Sequence, residues 1–216
     1  MVHILAEHTS ILNQYIAEIR DQNIQQDRIR FRRNMERIGE IFAYEISKTL
    51  SFDKSITQTV LGEADTQTLA EQPVVATILR AGLPLHTGLL NIFDSAQNAF
   101  VSAYRKHSKD NTFNIQIEYL SSPKLDNKTL ILTDPMLATG SSMVLAYKAL
   151  LAKGKPKHTH IVAVIASREG MEYLRANMPD TNYTLWLGAV DEELTAHAYI
   201  VPGLGDAGDL AFGEKL

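Results

Sequence analysis

The sequence predicts an α/β protein built on a mainly parallel, twisted sheet flanked by helices. Three observations carry that prediction. Apolar, β-rich runs alternate along the chain with segments of helical periodicity, the pattern of a doubly wound sheet. Two of these runs, Val74-Val75-Ala76-Thr77-Ile78-Leu79 and Leu130-Ile131-Leu132-Thr133, end in short loops that open a helix, as strands do when their carboxyl ends border a ligand crevice. The 216 residues contain no internal repeat and no Pro/Ser-rich linker, and they suffice for one sizeable core. A single domain over 1–216 is therefore expected, with a helical preface over about 1–50, a core over about 73–190 and a C-terminal segment over about 191–216.

In chain order, residues 10–20 and roughly 27–50 have helical periodicity. In the second segment Ile38, Ile41, Phe42 and Ile46 form an apolar stripe that suits the core or a subunit interface. Residues 59–72 read as a connecting loop. The run 74–79 is a strand, followed at Arg80-Ala81-Gly82 by a Pro-containing helix start, and 99–104 is a second strand ending at Arg105. Residues 113–119 alternate apolar and polar, the pattern of a strand with one face in solvent, and are expected to form a hairpin arm beyond Arg105. A loop over 121–128 leads to the strand 130–133, whose helix follows over 142–152. Residues 160–166 and 183–187 are further strands, separated by a helix over about 170–177.

Composition narrows the function. With 21 Lys and Arg against 25 Asp and Glu, the net charge of -4 argues against a general nucleic-acid binder, and no nucleic-acid partner is expected. The absence of cysteine excludes disulfides, thiol catalysis and a Cys-ligated metal. Residues 1–10 lack the basic start and apolar core of a signal peptide, and the uncharged stretch 81–93 is too short and too broken by Gly and Pro to span a bilayer; a cytoplasmic protein without a membrane partner is expected. On a helix, Arg30, Arg33 and Arg37 share one face and Arg28 and Arg32 another, which reads as a solvated or inter-subunit surface rather than an effector or RNA site. His158 and His160 are read as the polar start of a strand rather than a metal site, Asp191, Glu192 and Glu193 as an exposed acidic run, and Trp186 as packed.

The chemistry concentrates after residue 133. A loop of Ala, Thr, Gly and Ser at a helix N-terminus offers backbone N–H donors, hydroxyls and the positive end of a dipole, a fit for phosphate. No Lys follows Gly140 and no Gly-x-Gly-x-x-Gly is present, so this is neither a Walker loop nor a dinucleotide fingerprint. Asp134, at the carboxyl end of the strand, repels phosphate and suits ribose hydroxyls. A plain turn in which Thr139 or Ser141 caps the helix is the alternative. The whole string Asp134-Pro135-Met136-Leu137-Ala138-Thr139-Gly140-Ser141-Ser142 resembles the phosphoribosyl pyrophosphate (PRPP) motif of uracil phosphoribosyltransferases. Independently, Tyr199-Ile200-Val201-Pro202-Gly203-Leu204-Gly205-Asp206-Ala207-Gly208-Asp209 resembles the uracil-binding segment of the same family. Its glycines put backbone on offer, which suits the alternating carbonyls and N–H groups of uracil.

The resemblance implies the type I phosphoribosyltransferase fold, with a β-hairpin arm and a C-terminal base-binding hood. It implies transfer of a phosphoribosyl group from PRPP to N1 of uracil, giving uridine monophosphate (UMP) and pyrophosphate. The PRPP-binding residues would be Arg80, Arg105, Asp134, Pro135, Met136, Leu137, Ala138, Thr139, Gly140, Ser141, Ser142 and Asp206, with Arg105, Asp134 and Asp206 catalytic. Ile200, Gly205, Asp206 and Ala207 would read the base. Arg80 and Arg105 would grip the leaving pyrophosphate by charge-assisted bonds. Mg²⁺ is the implied cofactor, carried in on PRPP without a direct protein ligand and reached by Asp206 through water. A homodimer or higher homo-oligomer is expected. Relatives usually carry Gly where Ser141 stands, so Ser141 is strained if that position needs φ > 0. Leu210 replaces a common basic residue, and Ser167-Arg168-Glu169-Gly170 replaces a Pro-containing version. Two other readings stay open: a phosphoribosyltransferase for another base with a different hood, and a pyrimidine-nucleotide-sensing, RNA-binding regulator on the same fold.

Overall fold

A computed structural model describes residues 1–107, 113–179 and 182–214, and for strand residues 103–107 and 113–116 it describes the backbone alone. The chain opens with a short strand, β1 (Val2–Ile4), which the sequence did not announce, followed by helices α1 (Ile11–Arg20) and α2 (Arg28–Ser47). Each helix starts at a side-chain cap. The Ser10 hydroxyl accepts from Leu12 N–H at 3.3 Å, and Asp27 accepts from Ile29 and Arg30 N–H at 2.9 and 3.1 Å. The apolar stripe of α2 is core: Ile38, Phe42 and Ile46 are fully buried, beside Leu12 and Ile16 of α1.

Residues 59–72, expected to be a loop, contain the turn and the second strand of a hairpin. Strands β2 (Phe52–Gln58) and β3 (Glu63–Leu69) pair antiparallel as a two-stranded ribbon outside the main sheet. The ribbon has no apolar face to advertise it. Its cross-strand links include hydroxyl pairs, Ser55 with Thr66 at 2.9 Å and Thr57 with Thr66 at 2.8 Å.

The main sheet takes β4 (Val74–Leu79), β5 (Gln97–His107), β6 (Phe113–Ser121), β7 (Thr129–Thr133), β8 (Met136–Leu137), β9 (His158–Ser167) and β10 (Tyr183–Asp191) in the order β1-β10-β9-β7-β4-β5-β6, with β8 alongside β9. Every pairing is parallel except β5 with β6, which form the expected hairpin arm. Alternate strand residues serve opposite faces. Val75 and Ile131 join the core under α1, α2 and helix α3 (Leu83–Ile92), whereas Val74, Ala76, Leu130 and Leu132 join the core under α4 (Ser141–Leu150) and α5 (Arg168–Asn177). The neighbouring strands β4 and β7 thus send their helices to opposite faces. Where strand order reverses in this way, a crevice opens beyond the carboxyl ends.

After β10 the chain forms β11 (Glu193–Leu194), β12 (Ile200–Val201) and a short helix α6 (Ala207–Phe212). This C-terminal hood packs Ile200, Leu204, Ala207 and Ala211 into the α1–α2 core. Among the described residues no helix is long and apolar enough to cross a membrane.

Candidate active site

Asp134 leaves β7 with its N–H donating to Val162 O at 3.1 Å, while its Oδ1 accepts from Met136 N–H at 3.2 Å. Pro135 O accepts from both Val164 and Ile165 N–H at 3.0 Å, so the loop is sewn to β9 before it turns. Gly140 makes the turn at φ +76° and caps α4. A Cβ there would meet Gly170 O at 2.7 Å, so both the dihedral and the space demand glycine. The left-handed position falls on Gly140, whereas Ser141 is the first residue of α4 and lies outside the positive-φ set. The strain conditionally expected at Ser141 is absent, and its hydroxyl lies 2.7 Å from that of Thr139. The first-turn N–H groups of α4 and these hydroxyls lie together at the head of that helix, an arrangement with the donors a phosphate needs.

The loop rests on α5. Ser167 Oγ donates to Ala138 O at 2.6 Å and accepts from Gly170 N–H at 2.8 Å. A Cβ on Gly170 would stand 2.2 Å from Ala138 O. The segment that departs from the family pattern is therefore the floor beneath that loop.

Ile200, Gly205, Asp206 and Ala207 of the hood line one cleft of about 180 Å³ together with Asp134, Met136, Leu137, Ala138, Thr139, Gly140 and Ser142. Two segments far apart in sequence meet there. Ala81, Met143, Ala198, Tyr199 and Gly208 complete the lining. Asp206 caps α6, accepting from Gly208 and Asp209 N–H at 2.8 and 3.0 Å. Asp134 is half-buried, and desolvation pushes its carboxyl up to about 7; Met136 N–H opposes the rise and the charge of Asp206 adds to it.

Arg80 follows β4 and, unlike the next residue Ala81, does not line the cleft. Its Nη2 lies 2.7 Å from Asp209 Oδ1 and donates to Gly213 O at 2.6 Å, tying the loop after β4 to the hood. Arg105 lies in β5 opposite Ile115, and its side chain falls outside the described residues. Among the described residues no three His, Asp or Glu converge into a metal cage.

Residues 6–214 match the family model described as uracil phosphoribosyltransferase. The chain belongs to the uracil phosphoribosyltransferase family. A uracil phosphoribosyltransferase of Porphyromonas gingivalis is 57% identical over 216 residues, covering 100% of this chain and 99% of that one. One from Pyrococcus furiosus is 35% identical, covering 97% and 89%. The solved structure of the AQ2163 protein from Aquifex aeolicus superposes with a TM-score of 0.85 at 28% identity, covering 99% of this chain and 98% of that one.

The hood is held by contacts that the sequence did not announce. Asp191, read from sequence as exposed, is 7% exposed. Its carboxylate is gripped by both terminal nitrogens of Arg20, at 2.7 and 2.8 Å. The α2 arginines are also engaged. Arg30 pairs with buried Glu18, holding that carboxyl down at about 2; Arg33 pairs with Glu36, and Arg32 donates to Ala211 O at 2.6 Å. Glu18 lies 12 residues from Arg30 and Ala211 lies 179 from Arg32, spacings that fall outside a single helix face. Trp186 is packed, as expected, and His160 is buried beside it, accepting from its indole N–H at 3.0 Å.

Proposed function

We propose that this protein transfers the phosphoribosyl group of PRPP to N1 of uracil. The C1′–pyrophosphate bond breaks, the C1′–N1 bond forms, the N1 proton is lost, and UMP and pyrophosphate leave. The observation that carries this reading is the convergence of Asp134 and the loop 137–142 with hood residues Ile200, Gly205, Asp206 and Ala207 on one cleft. The cradle and the α4 dipole hold the 5′-phosphate. Asp134, once ionised, accepts from the ribose hydroxyls and stands near the positive charge that develops at C1′. Arg105 and Arg80 serve the departing pyrophosphate, Arg80 by exchanging its hold on Asp209. Backbone groups of the hood read the base, and a donor placed against the 4-carbonyl of uracil would face a donor in cytosine.

Mg²⁺ belongs to the same proposal. The described residues offer no three-ligand cage, and the hard oxygens of Asp206 and Asp134 face one cleft, a donor set that fits an ion arriving on substrate phosphates with most of its water. When bound it would neutralise pyrophosphate charge, with Asp206 holding it through water. Assembly as a homo-oligomer is likewise proposed, supported by Ile56, Val60 and Leu61 of the β2–β3 hairpin, which are 68%, 100% and 98% exposed in the single chain. A cytoplasmic location completes the proposal. The regulator reading is disfavoured because four of the five arginines that would meet RNA, Arg30, Arg33, Arg37 and Arg32, are tied to Glu18, Glu36, Asn34 and Ala211.

The test is product formation from PRPP and Mg²⁺ with uracil, beside cytosine, hypoxanthine, adenine and no base. UMP from uracil alone is the expected result. Preference for another base would overturn the hood assignment, and no product with any base, despite PRPP binding, would bring the regulator reading forward.

A further inference from the structure

Gly203 sits at the turn of the hood, between Ile200, which lines the cleft, and Gly205 and Asp206, which line it further on. Its φ of +53° and the 2.1 Å that would separate a Cβ from Ile200 O leave no room for another residue. Both of its backbone polar groups are taken by one ion pair. Gly203 N–H donates to Asp191 Oδ2 at 2.9 Å, and Arg20 Nη1 donates to Gly203 O at 2.9 Å. Arg20 and Asp191 meanwhile hold each other in a two-point bond at 2.7 and 2.8 Å. The ring of four hydrogen bonds joins the end of α1, the end of β10 and the hood turn, and neither side chain lines the cleft.

We propose that Arg20 and Asp191 are positioning residues for base recognition: their ion pair fixes Gly203, and through it sets the backbone of Ile200, Gly205 and Asp206 at the spacing that reads the base. This rests on the proposed transfer to uracil and names the part of the fold that makes the hood selective. A two-point guanidinium–carboxylate bond is planar and directional, so it transmits orientation as well as attraction. Both partners are largely withdrawn from water, with side-chain exposures of 22% and 8%, so the bond is little screened. A hood read through backbone groups has no side-chain rotamer with which to correct a misplaced turn. Displacement of the turn therefore falls on base discrimination directly, while the 5′-phosphate cradle, built on β8, α4 and α5, is untouched.

The experiment compares the full-length protein with Arg20→Lys, Arg20→Ala and Asp191→Asn in three measurements: steady-state kinetics with uracil and with cytosine, KM for PRPP, and amide hydrogen exchange over 199–209. Misplacement on the scale of an ångström predicts a rise of about tenfold or more in KM for uracil in Arg20→Ala, with KM for PRPP within about twofold, and a narrowed preference for uracil over cytosine. Arg20→Lys, which keeps the charge but loses the fork, is expected to recover part of the loss. Exchange over 200–206 is expected to rise while that of β7 and β9 stays as in the parent. If the parent makes UMP and the variants keep its KM for uracil, the positioning role is overturned while the transfer reading stands. If the parent makes no UMP, the transfer reading fails on its own, and the exchange data still decide whether the ion pair fixes the turn. Exchange over 200–206 equal to that of the parent in every variant overturns it. Should Arg20→Ala fold poorly, Asp191→Asn, which retains the size and acceptor oxygen of the side chain, gives the same readout.

Discussion

Asp206, at the head of α6, faces Asp134, at the end of β7, across a single cleft, and its negative charge adds to the desolvation that lifts the Asp134 carboxyl to about 7. An acid with that midpoint is largely protonated at pH 6 and ionised at pH 8. A charged carboxylate accepts from hydroxyls more strongly than a neutral carboxyl, so under the proposed role ionisation of Asp134 strengthens ribose binding. The affinity for PRPP, measured by calorimetry with Mg²⁺, is expected to strengthen roughly tenfold over those two pH units. Asp134→Asn is expected to flatten that dependence to what the phosphates of PRPP contribute by themselves.

The same acid sets a cost in stability. Its folded-state pKa lies above the ordinary 3.8, so the folded chain keeps this proton through a window in which the unfolded chain has lost it. The stabilisation is complete below about 4 and is lost as pH rises through about 7. Asp134→Asn, which cannot ionise, should melt close to the parent at pH 4. At pH 8 it should melt about 2–4 °C higher, corresponding to about 1 kcal/mol after allowance for the water that reaches a half-buried carboxyl. Calorimetric scans at both values check this, and turnover should fall by about a hundredfold or more.

Ser167→Ala removes the donor to Ala138 O and the cap on Gly170. A loss of about 1 kcal/mol in unfolding free energy is expected, with a higher KM for PRPP and an unchanged KM for uracil. Gly170→Ala is expected to be more severe. Its methyl would occupy space 2.2 Å from Ala138 O and 2.6 Å from Leu137 O, both backbone atoms, so the cradle itself must move. Denaturant melts should show a loss of about 1–3 kcal/mol.

Asp206→Ala and Arg105→Ala should each lower kcat by about a hundredfold or more while leaving the chain folded. Asp206→Ala also strips the cap from α6, a cost of about 1 kcal/mol. Parent-like turnover in either variant would remove that residue from the site.

The parallel sheet was legible because its strands are continuous apolar runs, and the cleft because its two walls are contiguous strings. The β2–β3 ribbon was illegible for the opposite reason. In β3 Glu63, Asp65 and Gln67 alternate with Ala64, Thr66 and Thr68, so neither face carries the large apolar residues that mark a strand, and the ribbon's hydroxyl ladder resembles a loop composition. β1 escaped notice because three residues on a sheet edge carry too little pattern. Asp191 was misread because burial of a charge depends on its partner, and Arg20 lies 171 residues earlier. The strand order that sets β4 beside β7 was equally hidden, since alternation of strands and helices fixes handedness but not sequence of pairing.

The chain has a single tryptophan, and its placement makes it an optical probe of one particular joint. Trp186 sits in β10 opposite His3 of the edge strand β1, with the two rings stacked at 4.1 Å, and its indole N–H donates to His160 Nδ1 at 3.0 Å. It takes no part in the cleft. Tryptophan emission, excited selectively over tyrosine, should therefore stay level while substrates are titrated in, and shift to the red when β1 peels away from β10. Fluorescence of this protein reports the seating of its N-terminal edge, and occupancy of the cleft must be followed by another signal.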